Sequence, residues 1–483
     1  MQRSLVNTVN ANCPSDGING FKVRSSRSWF AVAFVLMNLF LFPCFLIRGS
    51  LLVSFGSIEL HEVFTCLLFF NTLLYSISRQ GFFGAISISL YFYFLFMIST
   101  ILFDYFGISS IRYSTIHLYY PISGETLHTI FFICDCWMLA VLLSLTLLKW
   151  DRDNISVPNS PKLEEFATLI VLLIGPLAIL MNMSNMFSFA NSVSAYTETY
   201  IEDSSTSILS LARILFRIAI PVYFASMPSG RFKKTCFIVI ALFLVTSAFG
   251  ASRAEALLPA GAALWYLVNC GYRFTFFKTL LLVVAVFIIL ALAVFIRGSA
   301  ASWNIIEQIA NDSVTFEMMA NTLDFGYRIS NPHYNLFFLS AWINPILRYF
   351  VCPAAFTAGR TVEYVMASFS LDHKIMYAIA PSAFESGRGF GSSSGLEFYV
   401  FAGYIGVVLL AFLYFLVISK ILSRAKSHRL FIVLSYWWLY ALLFSVRGTP
   451  LPNLFNLATS VILFILLTLV TSRGSHKKPK VDA

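Results

Sequence analysis

The chain has 483 residues, of which 58% are hydrophobic and only 12% are charged, and its mean hydropathy is +0.78. This composition excludes a soluble fold with a water-facing surface and indicates an integral membrane protein. The formal charge of +10 does not lead us to expect a nucleic-acid partner, because most of the positive side chains lie in connections between apolar runs.

The apolar runs are continuous, approach 20 residues and lack the two-residue alternation of a membrane-spanning strand. Helices and closed barrels are the structures that satisfy backbone hydrogen bonds inside a bilayer, so these runs predict helices. We expect an all-α, polytopic fold. The predicted 12 spans are residues 29–47, 60–78, 82–103, 129–148, 166–187, 207–226, 234–250, 256–270, 276–296, 397–418, 429–446 and 453–471.

The Lys and Arg residues predict the orientation of these spans. With the N-terminus in the cytoplasm, inner segments hold 21 of them and outer segments hold 10, as the positive-inside rule requires. Both termini are therefore expected in the cytoplasm. The resulting layout is a tail at 1–28, helices 1–9 within 29–296, a large outward loop at 297–396, helices 10–12 within 397–471 and a basic tail at 472–483.

The middle of the outward loop, residues 334–356, is too apolar for a solvated linker. It predicts either an amphipathic helix on the membrane surface or a re-entrant hairpin. The loop is thus expected to be partly associated with the membrane.

Four arginines lie on the outward side, where positive charge should be rare: Arg253, Arg297, Arg388 and Arg447. A guanidinium group presents a planar set of donors that suits phosphate oxygens. Four such groups at one membrane depth predict a site for a pyrophosphate with a lipid tail. The alternative for each is an interfacial side chain that extends to a lipid headgroup.

Three charged residues lie well inside their predicted spans, away from the ends. Arg213 and Arg217 are spaced i, i+4 and share a helix face, which should point into the bundle because burial in hydrocarbon is costly. We expect them to contribute to substrate binding. Asp135 lies at a similar depth, and we expect it either to pair with Arg213 or to line the ligand cavity.

Two titratable residues of the outward side are candidates for proton transfer. His333, in "SNPHYNLFF", has an imidazole that can act as a base for a sugar hydroxyl. Glu397 begins a span directly after the Gly/Ser-rich segment "SGRGFGSSSG". That segment predicts either main-chain N–H groups that approach an anion or a plain helix cap.

The sequence contains no zinc-ligand spacing, no dinucleotide fingerprint and no cytoplasmic segment large enough to hold a nucleotide sugar. We therefore expect no cofactor, metal-independent chemistry and a lipid-linked donor.

These features resemble the Wzy-type O-antigen polymerases of Gram-negative inner membranes. The similarity lies in the number of spans, the Ser252–Arg253 turn, the late outward loop and the segment from Gly387 into "GLEFYVFAGYIGVVL". It implies a GT-C-like membrane glycosyltransferase that acts on undecaprenyl-pyrophosphate-linked oligosaccharide among membrane lipids, and a chain-length regulator is an expected partner.

The resemblance also suggests roles for individual residues. Arg253 matches the arginine of an earlier family loop and Arg388 that of a later one, with Gly261 and Gly403 as loose analogues of the glycines that follow them. Arg253, Arg297 and Arg388, together with Arg447, would stabilise the leaving pyrophosphate. His333 or Glu397 would take the hydroxyl proton. An O-antigen ligase and a flippase or transporter of the lipid-linked unit are the alternative functions.

Overall fold

The computed structural model describes residues 58–108, 111–114, 119–150, 154–191, 208–250, 253–296, 314–326, 335–357, 360–385 and 391–473. The predicted first span at 29–47 lies outside these residues, as do the tail at 1–28 and residues 474–483.

The described residues are mostly helical, as the composition predicts. The helices are α1 Ile58–Gln80, α2 Ala85–Tyr105, α3 Gly124–Leu147, α4 Pro161–Asn191, α5 Ile208–Ala225, α6 Lys233–Gly250, α7 Arg253–Asn269, α8 Phe276–Ile296, α9 Val314–Phe325, α10 Ser340–Ile346, α11 Pro353–Thr357, α12 Val362–Ala367, α13 Leu371–Ile379, α14 Pro381–Glu385, α15 Ser394–Ala425, α16 Arg429–Phe444 and α17 Leu454–Arg473. Two short strands, β1 Tyr113–Ser114 and β2 Tyr120–Pro121, form one antiparallel pair.

Eight helices of the described part are long and apolar enough to cross a membrane: α1 to α6, α15 and α17. The protein is therefore an all-α integral membrane protein. Helices α7, α8 and α16 coincide with three further predicted spans but are not among the eight, so the total of twelve stays a prediction.

Helix α3 occupies the interior of the bundle. In its most apolar window 78% of the residues are buried, against 11% for α17, which indicates that α17 lies at the periphery. Helices α1, α9 and α15 pack around α3. Its first turn is capped by Ser123, whose Oγ accepts a hydrogen bond of 3.1 Å from the N–H of Thr126.

Two glycines singled out by the resemblance have structural roles. Gly261 lets α7 approach α16, since a Cβ atom there would lie 2.4 Å from Cδ1 of Leu443. Gly403 has a φ of +65° inside α15, where Ala402 and Gly403 leave the helical conformation and kink the helix.

The apolar part of the predicted outward loop forms short helices. A 3₁₀ turn at Phe337–Leu339 precedes α10, and a π turn at Leu347–Val351 follows it. Tyr349, Phe350 and Val351 are exposed. An exposed apolar turn agrees with either a surface-lying or a re-entrant segment, and both interpretations stay predictions.

Candidate active site

The polar residues discussed below lie at one end of the helix bundle, which we call the loop end. The first turns of α1, α3, α5, α7 and α15 and the last turn of α16 meet there. Helix α9 joins them, since Oγ1 of Thr126 on α3 donates a hydrogen bond of 2.5 Å to Oδ1 of Asp324. The loop end thus combines the starts of several helices with part of the predicted outward loop.

Glu397 lies in the first turn of α15 and has no exposed surface. Its Oε1 accepts a hydrogen bond of 2.6 Å from Oγ of Ser392. Its Oε2 is buried and has no hydrogen-bond partner among the described residues. A buried carboxylate with one oxygen left unsatisfied is costly, which is typical of a functional residue.

The Gly/Ser segment before Glu397 is bonded to the turn after α16. The N–H of Ser392 donates to the carbonyl of Arg447 at 3.1 Å, and the N–H of Ser394 donates to the carbonyl of Ser445 at 2.8 Å. Gly391, at a φ of +84°, lies against Arg447, where a Cβ would be 3.0 Å from its carbonyl oxygen. The N–H groups of Ser392 and Ser394 are therefore occupied, and the expected anion-binding role does not fall on them.

The backbone of Arg447 therefore lies next to Ser392, the residue that also bonds to Glu397. The Cζ atom of Arg447 lies 5.5 Å from the ring centroid of Phe96, in the π turn of α2. A guanidinium is attracted to the face of an aromatic ring. This contact ties Arg447 to α2 at the loop end.

Arg217 forms an ion pair across the bundle. Its Nη1 lies 3.2 Å from Oε1 of Glu255, in the first turn of α7. Tyr436 and Tyr440 of α16 lie near enough to Arg217 to interact with it electrostatically. The guanidinium is thus partly neutralised, which makes Arg217 a weaker phosphate ligand than the sequence alone predicts.

Arg213 lies one turn before Arg217 on α5 and is buried. The predicted ion pair between Asp135 and Arg213 is wrong, because Asp135 bonds to a residue of α1 instead. Its Oδ2 lies 3.1 Å from Nε2 of His61, and Nδ1 of His61 lies 2.9 Å from Nδ1 of His128. The sequence analysis did not select either histidine.

A spacing signal could have identified part of this group. His128 and Asp135 are seven residues apart, so they share one face of α3. His61 follows the start of α1, the span predicted at 60–78. Sequence spacing shows the shared face on α3 but not which residue of another helix meets it.

Carboxylates and one arginine lie together near the start of α1, next to His61 in the sequence. Glu62 is buried on α1. After α2, Nη2 of Arg112 lies 2.7 Å from Oε1 of Glu59, and the N–H of Ile111 donates to Oδ1 of Asp104 at 3.1 Å. The hydrogen bond from Arg112 to Glu59 is charge-assisted and raises the pKa of Arg112.

A second polar group lies in the short helices α12 to α14. The hydroxyl of Tyr364 lies 3.1 Å from Nδ1 of His373, and Nζ of Lys374 donates to the carbonyl of Val365 at 2.8 Å. Burial lowers the pKa of both His373 and Lys374 and raises the pKa of Tyr364 to about 12. Lys374 caps the end of α12 and is not a free cation.

A cavity of about 240 Å³ lies at the opposite end of the bundle, lined by the last turns of α1, α7 and α15 and by residues that follow α3. Lys149 and Lys426 are among its lining residues. None of the predicted site residues lines it. Among the described residues, no group of three or more His, Cys, Asp or Glu side chains is placed to hold a metal ion.

Comparison with protein families gives one match, which covers nearly the whole chain. A model of the family described as O-antigen polysaccharide polymerase Wzy matches residues 30–480. The chain belongs to the Wzy family. Comparison with curated proteins and with solved structures gives no significant match. The expected GT-C likeness therefore stays a prediction, whereas the expected family is confirmed.

The Wzy match includes every residue that the sequence analysis selected, and the structure describes some of them. Glu397, Arg447, Arg213 and Arg217 have described side chains. Arg253 begins α7, but its side chain lies outside the description. Residues His333, Arg297 and Arg388 fall outside the described ranges, so their roles stay predictions.

Proposed function

We propose that this protein is the polymerase of the O-antigen repeat unit. It transfers the growing glycan from undecaprenyl pyrophosphate to the non-reducing-end hydroxyl of a new lipid-linked repeat unit. The observation that carries this proposal is the Wzy family match over residues 30–480, in a chain with eight membrane-spanning helices in its described part.

The loop end is proposed to face the periplasm, with both termini in the cytoplasm and the protein in the inner membrane. The distribution of positive charge supports this orientation, with 21 Lys and Arg in the inner segments against 10 in the outer ones. The carrier's lipid tail would remain in the bilayer while its pyrophosphate reaches the loop end.

The reaction forms one bond and breaks one. The acceptor hydroxyl oxygen bonds to the anomeric carbon of the donor, and the bond from that carbon to the pyrophosphate oxygen breaks. The hydroxyl proton passes to a base, and negative charge develops on the leaving pyrophosphate. Positioned cations stabilise that charge more in the transition state than in the ground state.

Arg447 is the described residue that we propose for that role, because its guanidinium offers a planar set of donors for phosphate oxygens and its backbone bonds to the Gly/Ser segment before Glu397. Arg253, Arg297 and Arg388 are proposed as further pyrophosphate ligands. Arg253 begins α7 two residues before Glu255, and Arg217 fixes Glu255. We therefore assign Arg217 to positioning the start of α7, and Arg213 to the buried wall of the site.

Glu397 and His333 are proposed to bind the sugar or to accept the proton. The enclosed carboxylate of Glu397, held by Ser392 at 2.6 Å, is already oriented. An oriented acceptor of hydrogen bonds loses little entropy when it binds a sugar hydroxyl. We further propose that the chemistry needs no metal ion and that a chain-length regulator is a partner of the polymerase.

The test is the gel profile of lipopolysaccharide from cells that lack this gene. A polymerase defect leaves core carrying a single repeat unit and removes the ladder of longer chains. Core with no repeat unit would instead indicate a ligase or a flippase, and the proposal would be wrong. Treatment of the purified enzyme with a chelator should leave its activity unchanged.

A further inference from the structure

Three side chains form a hydrogen-bonded line between α1 and α3 at the loop end. Nε2 of His61 lies 3.1 Å from Oδ2 of Asp135, and Nδ1 of His61 lies 2.9 Å from Nδ1 of His128. Asp135 has no exposed surface and His61 is 2% exposed, whereas His128 is 8% exposed. The line therefore runs from the interior toward the surface.

The order of the three groups determines where their protons lie. An ionised Asp135 can only accept, so it takes the N–H at Nε2 of His61. Neutral His61 then has a lone pair at Nδ1 and accepts the N–H at Nδ1 of His128. As a result, Nε2 of neutral His128 carries a lone pair and can act as a base.

The outer atom of this line is available for a substrate. Among the described residues, Nε2 of His128 has no hydrogen-bond partner, and it is not among the enclosed atoms. His128 lies in the second turn of α3, close to Thr126 and Asp324. The titratable groups that interact with Asp135 are Cys66 of α1, Tyr93 of α2, and Cys134 and Cys136 of α3. Glu62 interacts with Cys66, and Glu59, Asp104 and Arg112 lie around Glu62.

We propose that His128, with His61 and Asp135 behind it, is the base that deprotonates the acceptor hydroxyl. This inference rests on the proposed polymerase function and names the proton acceptor for it. Glu397 and His333 would then bind the sugars. In this acid–base relay, the carboxylate of Asp135 orients His61, and His61 orients His128.

The proton that leaves the acceptor hydroxyl is taken up by these side chains. As the acceptor oxygen bonds to the anomeric carbon, its proton moves to Nε2 of His128. The proton at Nδ1 of His128 moves to Nδ1 of His61. The positive charge then rests on His61 beside ionised Asp135, as a buried ion pair. Exchange with water at His128 returns the line to its starting state.

The experiment uses the purified full-length protein in proteoliposomes with the lipid-linked repeat unit as substrate. His128→Gln keeps a polar side chain of similar reach but does not titrate. We expect kcat to fall on the order of 100-fold to 10,000-fold, with KM for the lipid-linked unit nearly unchanged. The acid limb of the pH–rate profile should disappear. His373→Gln, in the loop helix α13, is the matched control and should keep the wild-type rate.

Two further variants separate a chemical role from a structural one. Asp135→Asn and His61→Asn should lower kcat and shift the acid limb, because neither leaves the tautomers that the relay needs. His128→Gly should regain activity when imidazole is added, which a purely structural loss would not allow.

The outcomes distinguish the two proposals. If wild-type protein makes no polymer, the polymerase function itself is wrong. If wild-type protein polymerises while His128→Gln keeps its rate and its acid limb, only the relay is wrong. If His128→Gln is inactive and imidazole restores no activity to a folded His128→Gly protein, the loss is structural and the relay is also wrong.

Discussion

Oγ of Ser392 donates a hydrogen bond of 2.6 Å to Oε1 of Glu397, a residue with no exposed surface. The bond joins the Gly/Ser segment to the first turn of α15. It fixes the direction of a carboxylate whose other oxygen has no partner among the described residues. Ser392 is therefore a positioning residue for Glu397.

Replacement of Ser392 by Ala should destabilise the protein and lower polymerisation. Both oxygens of Glu397 would then be buried without a described partner, at a cost of about 1–3 kcal/mol. Ser392→Thr keeps the hydroxyl and serves as the control. Thermal unfolding of the purified protein measures the change, and equal melting temperatures for the Ala and Thr variants would contradict the assigned contact.

The Arg217–Glu255 pair should behave as a coupled unit. Arg217→Ala removes the guanidinium that lies 3.2 Å from Oε1 of Glu255, so the double substitution should destabilise the protein by less than the sum of the two single substitutions. We expect a coupling of about 1–3 kcal/mol, reduced from the fully buried case because both side chains keep some exposure. The measurement is a double-mutant cycle on stability in detergent. Strictly additive losses of stability would show that Arg217 and Glu255 do not stabilise each other.

Gly261 should tolerate no side chain unless Leu443 is shortened. A Cβ at residue 261 would lie 2.4 Å from Cδ1 of Leu443, so Gly261→Ala should cost about 1–3 kcal/mol through overpacking. Because Leu443 is buried, Leu443→Ala is itself destabilising, but it should cost less in the Gly261→Ala protein than in wild type. Amounts of folded protein in the membrane provide the readout, and a Gly261→Ala variant as abundant as wild type would show that α7 and α16 pack less closely.

The group around His373 predicts a pH dependence of stability. Burial holds the pKa of folded His373 below the ordinary value of 6.5, so the unfolded chain takes up a proton first as pH falls through 6.5. The contribution of His373 to the free energy of unfolding is thus fully present above pH 6.5. It is lost as the pH falls from 6.5 to the lower pKa of the folded state.

The measurement compares melting temperatures of wild type and His373→Gln at pH 7.5 and pH 5.5. Carboxylates elsewhere affect both proteins equally, so the difference between them isolates His373. We expect wild type to lose more stability than the variant on acidification. An equal loss in both would mean that His373 does not titrate in this window.

Much of the architecture follows from hydropathy. Runs near 20 apolar residues predicted all eight helices that are long and apolar enough to span a membrane. The ends agree to within seven residues, and most closely for 234–250 and helix α6 Lys233–Gly250. Hydropathy succeeds here because lipid demands the same two properties, length and apolarity, that the sequence displays directly.

The contacts between helices were harder to predict. Spacing placed Arg213 and Arg217 on one face of α5, yet the partner of Arg217 proved to be Glu255 of α7, and the partner of Asp135 proved to be His61 of α1. Periodicity describes the faces of one helix, whereas pairing depends on which helices pack together. For the same reason, His61 and His128 were not among the candidate residues selected from the sequence.

The most direct test of the polymerase function is reconstitution of the purified protein with a defined undecaprenyl-pyrophosphate-linked repeat unit and no other protein. We predict lipid-linked chains of two or more repeat units, with one undecaprenyl pyrophosphate released for each bond formed. Unchanged single repeat units in a protein that is folded and correctly inserted would contradict the account.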